Sequence, residues 1–105
     1  MTSTLQALQD KYKFLVNTEL PNLAKSHKLP VHLNHCFARI LLDGLFEDCW
    51  YNHLDRHKVA YKQLNHKQLM SIIKLAETFI KDPQTMYQYN KDSLNYRQLW
   101  QKRNS

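Results

Sequence analysis

Glycine, proline and cysteine are scarce in this chain, with one Gly, three Pro and two Cys among 105 residues. A lone glycine leaves little chemistry for the tight turns of β-hairpins, and seven Val and Ile stand against sixteen Leu where strands favour the branched pair. The composition therefore excludes a β-rich fold and predicts an all-α one. Two cysteines are too few for a secreted disulfide scaffold. Cys36 and Cys49 both lie among apolar neighbours, where reduced thiols pack as small hydrophobes. No run approaches the ~18–20 apolar residues of a membrane span. The N-terminus MTSTLQALQDKYKF also lacks a basic stretch followed by an apolar one. The expectation is a cytoplasmic protein with no membrane segment.

Acidic residues are the next shortage: nine Asp and Glu face fifteen Lys and Arg, a net charge of +6 to which six His can add near pH 6. The excess is uneven. Residues 53–81 carry six basic and two acidic side chains, residues 91–105 four and one, and residues 31–52 one and three. Such a surface attracts nucleic acid only if the basic segments 53–81 and 91–103 coalesce in space. With 43% hydrophobic and 23% charged residues, one core can form without a disulfide, metal or cofactor, so residues 1–105 are read as a single helical domain.

Helical spacing runs from Leu5 through Leu8, Tyr12, Leu15, Leu20 and Leu23, with Ser3 or Thr4 as cap. Pro21 lacks the N–H a helix interior needs, so this segment either kinks there or restarts with Thr18 as cap and ends near Lys28. Leu29-Pro30 forces an extended connection. Residues 31–51 then form the central apolar helix, about 33–50, with Leu33, Cys36, Phe37, Ile40, Leu41, Leu45 and Cys49 covering over half its circumference. Gly44 inside it costs about 1 kcal/mol relative to Ala, which predicts a close backbone crossing. VAYKQL reads as a turn or a single helical turn. Asn65 caps a helix with a clean stripe from Leu69 to Ile80, and Asp82-Pro83 ends it and caps the next. A short helix to Tyr89 and a last one from about Ser93 to Lys102 complete a compact bundle of five or six helices.

Chemistry-bearing residues concentrate on the central helix, where His32, His35, Arg39, Asp43 and Glu47 are spaced three or four apart and stack along one face. Arg39 and Asp43, one turn apart, can pair without tertiary help. One reading is a satisfied ion pair that fixes helix register. Another is a pocket for a small anion or peptide, with Arg39 offering a fork of donors and His35 a switchable one. A third leaves the stripe exposed. Cys49, His53 and His57, four apart, are a candidate metal triad only if the helix runs on to residue 57, and a fourth ligand is missing. No catalytic residue is assigned, since Cys36 and its neighbour His35 point about 100° apart on a helix. Tyr87, Tyr89, Tyr96 and Trp100 interleave with Lys91, Arg97, Lys102 and Arg103, either docking on the core or forming an interaction surface.

At residues 34–43, NHCFARILLD, with Trp50 and the tail segment NKDSLNYR at 90–97, the chain resembles a family of short bacterial helical proteins with an NHCFxRIxLD-like core. The family has no assigned biochemical function, and some members are labelled GNAT acetyltransferase-like. That label implies a mixed sheet and a longer chain to hold acetyl-coenzyme A, neither of which this sequence offers. The resemblance singles out Asn34, His35, Cys36, Arg39, Asp43 and Trp50, then Asn90, Ser93 and Arg97. The family has Trp where this chain has Tyr96, which keeps the aromatic and puts an indole N–H contact in doubt. Together with the polar stripe, it predicts that the last helix lies across the central one, bringing Asn90, Ser93 and Arg97 toward Asp43.

The resulting expectation is a non-enzymatic binding or adaptor module. Its binding site would be Asn34, His35, Arg39, Asp43, Trp50, Asn90, Ser93 and Arg97, and its partner a protein or a small acidic ligand. A homodimer is a candidate assembly, because short helices of this kind often leave one apolar face uncovered. The alternative is a nucleic-acid-binding domain using the two basic segments, although no helix-turn-helix signature is present. A small accessory enzyme comes third.

Overall fold

The computed structural model describes residues 4–105. Its elements are α1 (Leu5–Phe14), a π-helical segment (Leu15–Glu19), α2 (Leu20–Ser26), α3 (Asn34–Phe46), α4 (His66–Lys81) and α5 (Thr85–Arg103), with single 3₁₀ turns at Trp50–Asn52 and Tyr61–Gln63. The fold is all-α, with no strand among the described residues. Because α1, the π segment and α2 are one unbroken run, four long helices replace the five or six expected. The Tyr61–Gln63 turn matches the reading of VAYKQL as a single turn.

Pro21 does not restart the helix behind a Thr18 cap. A proline removes the N–H that would have returned to the carbonyl four residues back. The chain absorbs this by widening: the Leu20 N–H donates to the Leu15 carbonyl, five residues earlier, and Pro21 falls in the first turn of α2. The extra residue advances the phase of the helix, so that Leu15, Val16 and Leu20 all face the core. Thr18 therefore lies inside the π segment and caps nothing. The cap of α1 is Thr4, whose Oγ1 accepts from the Ala7 N–H at 3.1 Å; Ser3 lies outside the described residues.

The central helix is shorter than expected. It starts at Asn34 behind the extended Leu33, which is 46% exposed rather than core, and stops at Phe46 because Glu47 adopts a left-handed conformation, φ 51°. His32 and Glu47 are thus off the helix, and the five-residue stripe shrinks to His35, Arg39 and Asp43. Phe37, Ile40 and Leu41 are fully buried against Leu69, Ile72, Ala76 and Phe79 of α4 and Leu20 of α2. Each such side chain contributes roughly 1.5–3 kcal/mol of burial free energy.

The stripe of α4 begins behind a capping box: Asn65 Oδ1 accepts from the Gln68 N–H at 2.8 Å, and Gln68 Oε1 accepts from the Asn65 N–H at 2.9 Å. After Pro83 the expected last two helices are one, since nothing between Tyr89 and Ser93 breaks the pattern. Asp82 does not cap it with its side chain; its carbonyl accepts from Thr85 Oγ1 at 2.8 Å. Gly44 is the meeting point of three helices. A Cβ there would lie 3.0 Å from side-chain carbons of Leu75 on α4 and Tyr89 on α5, so the close approach is of side chains, not of a crossing backbone.

Candidate functional site

Asp43 sits in the last turns of α3 and is completely buried. A carboxylate in that position must find donors, since leaving a buried charge unpaired costs several kcal/mol. It finds them on α5 and in the reversal after α3. Its Oδ2 accepts from Ser93 Oγ at 2.6 Å and from Arg97 Nε at 3.1 Å. Its Oδ1 accepts from the Trp50 backbone N–H at 2.9 Å. Ser93 and Arg97 reach it together because they lie one turn apart on α5. Burial alone would lower the Arg97 pKa, but the hydrogen bond and the charge of Asp43 carry it above its ordinary value.

Arg39, one turn before Asp43, does not pair with it as expected. It turns to the neutral acceptors Ser93 Oγ, at 2.7 Å from Nη1, and Asn90 Oδ1, at 2.9 Å from Nη2. Ser93 is the hinge of this network, accepting from Arg39 and donating to Asp43. Two of the five guanidinium N–H groups are thus fixed and three remain for another acceptor. Among the described residues Arg39 makes no ion pair. The expected convergence of Asn90, Ser93 and Arg97 on the stripe is therefore what the fold builds, through Ser93 rather than a direct Arg39–Asp43 pair.

The outer face of this network opens into a cleft of about 520 Å³ between the first helical run, α3 and the 50–61 segment. Asn34, His35, Arg39, Trp50 and Arg97 line it, whereas Asp43, Asn90 and Ser93 stand behind it. Asn34 is steadied by a 3.1 Å hydrogen bond from its Nδ2 to Asn17 Oδ1. Arg97 lies over the Tyr51 ring at 4.4 Å. Arg56 lies over the same ring at 5.5 Å and over Trp100 at 5.2 Å. One arginine from each basic segment is therefore placed at Tyr51.

Sequence reasoning did not single out Tyr12, Lys13, Tyr51, Arg56, Lys58 and Tyr61, all of which line the cleft. The signal that could have found the later four is the interleaving of aromatic and basic residues over 50–61, the pattern noticed only in the tail. Tyr12 and Lys13 carried no such signal, because Tyr12 reads as core and is 3% exposed. Burial, with the neighbouring Tyr61, pushes its phenol pKa up.

The metal triad does not form. The left-handed Glu47 ends α3, so Cys49, His53 and His57 no longer share a helical face. Among the described residues no group of three or more His, Cys, Asp or Glu is placed to hold a metal ion. Cys49 is fully buried, and burial raises its thiol pKa, the condition of an unreactive thiol. His53 instead stacks on Phe46 at 4.5 Å and pairs with Asp48 Oδ2 at 3.1 Å. Cys36 and Cys49 are both free. Among the described residues no helix is long and apolar enough to cross a membrane. Of the tail aromatics, Tyr89 docks on Phe79 in the core at 5.3 Å, and Tyr87 donates to the Lys28 carbonyl at 2.9 Å.

No family model, no curated protein and no solved structure matches the chain. Function is argued from the cleft alone.

Proposed function

We propose that the protein is a binding module for a small acidic ligand held in this cleft. The observation that carries the reading is that every charged side chain lining the cleft is cationic: Lys13, Arg39, Arg56, Lys58 and Arg97, with His35 beside them. Asp43 offsets only Arg97, which leaves about four uncompensated positive charges around one concave space, Arg39 half-buried and Lys13, Arg56 and Lys58 exposed at its rim. A concave wall of one sign concentrates anions more than a flat surface does. Arg39 is suited to lead the contact because neutral partners orient it without neutralising it.

The test is thermal unfolding in citrate, inorganic phosphate and pyrophosphate against chloride at matched ionic strength. A ligand at a hundred times its Kd stabilises by about 2.7 kcal/mol, which raises the Tm of a domain this size by roughly 10 °C. Arg39→Gln should remove most of that rise and Lys74→Gln, outside the cleft on α4, none of it. Equal Tm values in all the salts would overturn the reading.

A nucleic-acid surface is the second reading, supported by the meeting of Arg56 and Arg97 on Tyr51. Oligonucleotide binding that falls steeply with salt would favour it, since each phosphate contact releases counterions. The cytoplasmic location belongs to the same proposal and is supported by the two free cysteines. A homodimer, or a protein partner, would rest on exposed apolar side chains such as Met70 and Leu99 and is tested by light scattering.

A further inference from the structure

The cleft holds more than cations. Four of its lining residues are aromatic, and they come as two pairs: Tyr12 and Tyr61, with ring centroids 5.7 Å apart, and Trp50 and Tyr51, 4.8 Å apart. Cations accompany both pairs, Lys13 at 6.0 Å from the Tyr61 ring and Arg97 at 4.4 Å from the Tyr51 ring. A simple carboxylate or inorganic phosphate has no use for aromatic walls, and a cleft of about 520 Å³ is larger than either needs. A neutral ring, in turn, would leave about four positive charges unanswered. The lining asks for one ligand with two parts, a flat π surface and a group of at least two negative charges. A phosphate monoester carries about −1.5 to −2 at neutral pH.

We infer that the anion taken by this cleft is a nucleotide unit, a phosphate joined to a planar base; the inference rests on the anion-binding reading above and specifies it. Arg39, with three unfilled N–H groups, and Lys13 or His35 hold the phosphate. Tyr61 and Trp50, one half-buried ring from each pair, provide the stacking surface, with the buried Tyr12 behind Tyr61 and Tyr51 already covered by Arg97 and Arg56. Such a surface accepts any base because every base has a π face. The same unit can arrive as a free nucleotide or as part of a single strand.

Calorimetric titration of the full chain separates these cases. The common ribonucleoside monophosphates are expected to bind about tenfold or more tighter than ribose phosphate, which lacks the ring, and than the nucleosides, which lack the charge. Tyr61→Ala should weaken the monophosphates about tenfold and leave pyrophosphate binding unchanged; Lys13→Gln should weaken both, and Lys74→Gln neither. Tyr61→Leu, which keeps apolar bulk, serves if Tyr61→Ala does not fold as judged by circular dichroism. Tighter binding of a single-stranded oligonucleotide, lost as salt rises, assigns the unit to a strand, and monophosphate binding equal to or tighter than that of the strand assigns it to a free nucleotide. Ribose phosphate binding as well as the monophosphates overturns the inference and leaves the anion reading standing. No binding of any phosphate, pyrophosphate included, overturns both.

Discussion

Helix α3 is held on two sides by opposite means. Toward α4 it presents Phe37, Ile40 and Leu41 to Ile72, Ala76 and Phe79, and the contact is wholly apolar. Toward α5 it presents Arg39 and Asp43 to Asn90, Ser93 and Arg97, and the contact is a hydrogen-bonded network. The apolar side is non-directional and follows area, so it tolerates changes of shape. The polar side is directional and requires every partner, because each group removed leaves another buried and unsatisfied. The first holds the helix in the bundle, and the second fixes where along α3 the helix α5 sits. Met86 and Ser93 are the fully buried residues of α5 and Tyr89 packs on Phe79 and beside Gly44, so apolar contacts at its first turns and the network at its middle share its placement.

The sharpest way to break the contrast is Asp43→Ala. It strands Ser93, the Trp50 N–H and Arg97 at once, and should cost about 3 kcal/mol in urea unfolding. The low end of the range for a broken buried pair applies because the Arg97 side chain keeps 20% exposure to water. A loss under ~1 kcal/mol would mean that the network is dispensable. Ser93→Ala comes next, at about 1–3 kcal/mol, since it removes an acceptor from Arg39 and a donor to Asp43. It should also loosen Arg39 and so blunt the thermal shift by anions, a coupling no substitution on the apolar side should show. Ile72→Val on that side should cost only about 0.5–1.5 kcal/mol and leave anion effects unchanged.

The smallest effect is one of pH. Burial would raise the Asp48 pKa, but hydrogen bonds from Asn52 and the Cys49 N–H, with His53 beside it, hold it below the ordinary value. A carboxylate lowered in the folded state adds stability above its unfolded pKa of about 3.9, and that contribution fades as pH falls through the folded pKa. Asp48→Asn should therefore lower Tm slightly at pH 6 and by less at pH 3. The group is about a third exposed, so water screens most of the effect.

The helices were legible where the signal is local. The Asn65 cap, the stripe from Leu69 to Ile80 and the helical start at Leu5 are set by residues within one or two turns, and the structure has them as read. The π segment was not, because a proline states only that a hydrogen bond is missing, while the choice between kink, break and widened turn depends on which phase buries Leu15, Val16 and Leu20 together. The end of α3 was misread for a similar reason. Nothing in EDCW forbids a further turn, and what stops the helix is that Asp43 draws the Trp50 N–H back onto itself while Asp48 ties the reversal to Cys49, Asn52 and His53.

For the site, spacing put Arg39 and Asp43 on one face of α3, since three- and four-residue intervals fix azimuth on any helix. Asn90, Ser93 and Arg97 came from the resemblance, and Asn90 shares the helix of the other two only because α5 runs unbroken from Thr85. The resemblance joined the two patches in one expectation. Which group bonds to which was a tertiary decision: Arg39 and Asp43 could pair locally, but the packed α5 offered Ser93 between them and Arg97 beyond, and a buried carboxylate is better satisfied by four donors than by one. The cleft was decided the same way. Tyr12, Lys13, Tyr51, Arg56 and Tyr61 belong to separate stretches of chain, and only closing the bundle brings their rings and charges around one space.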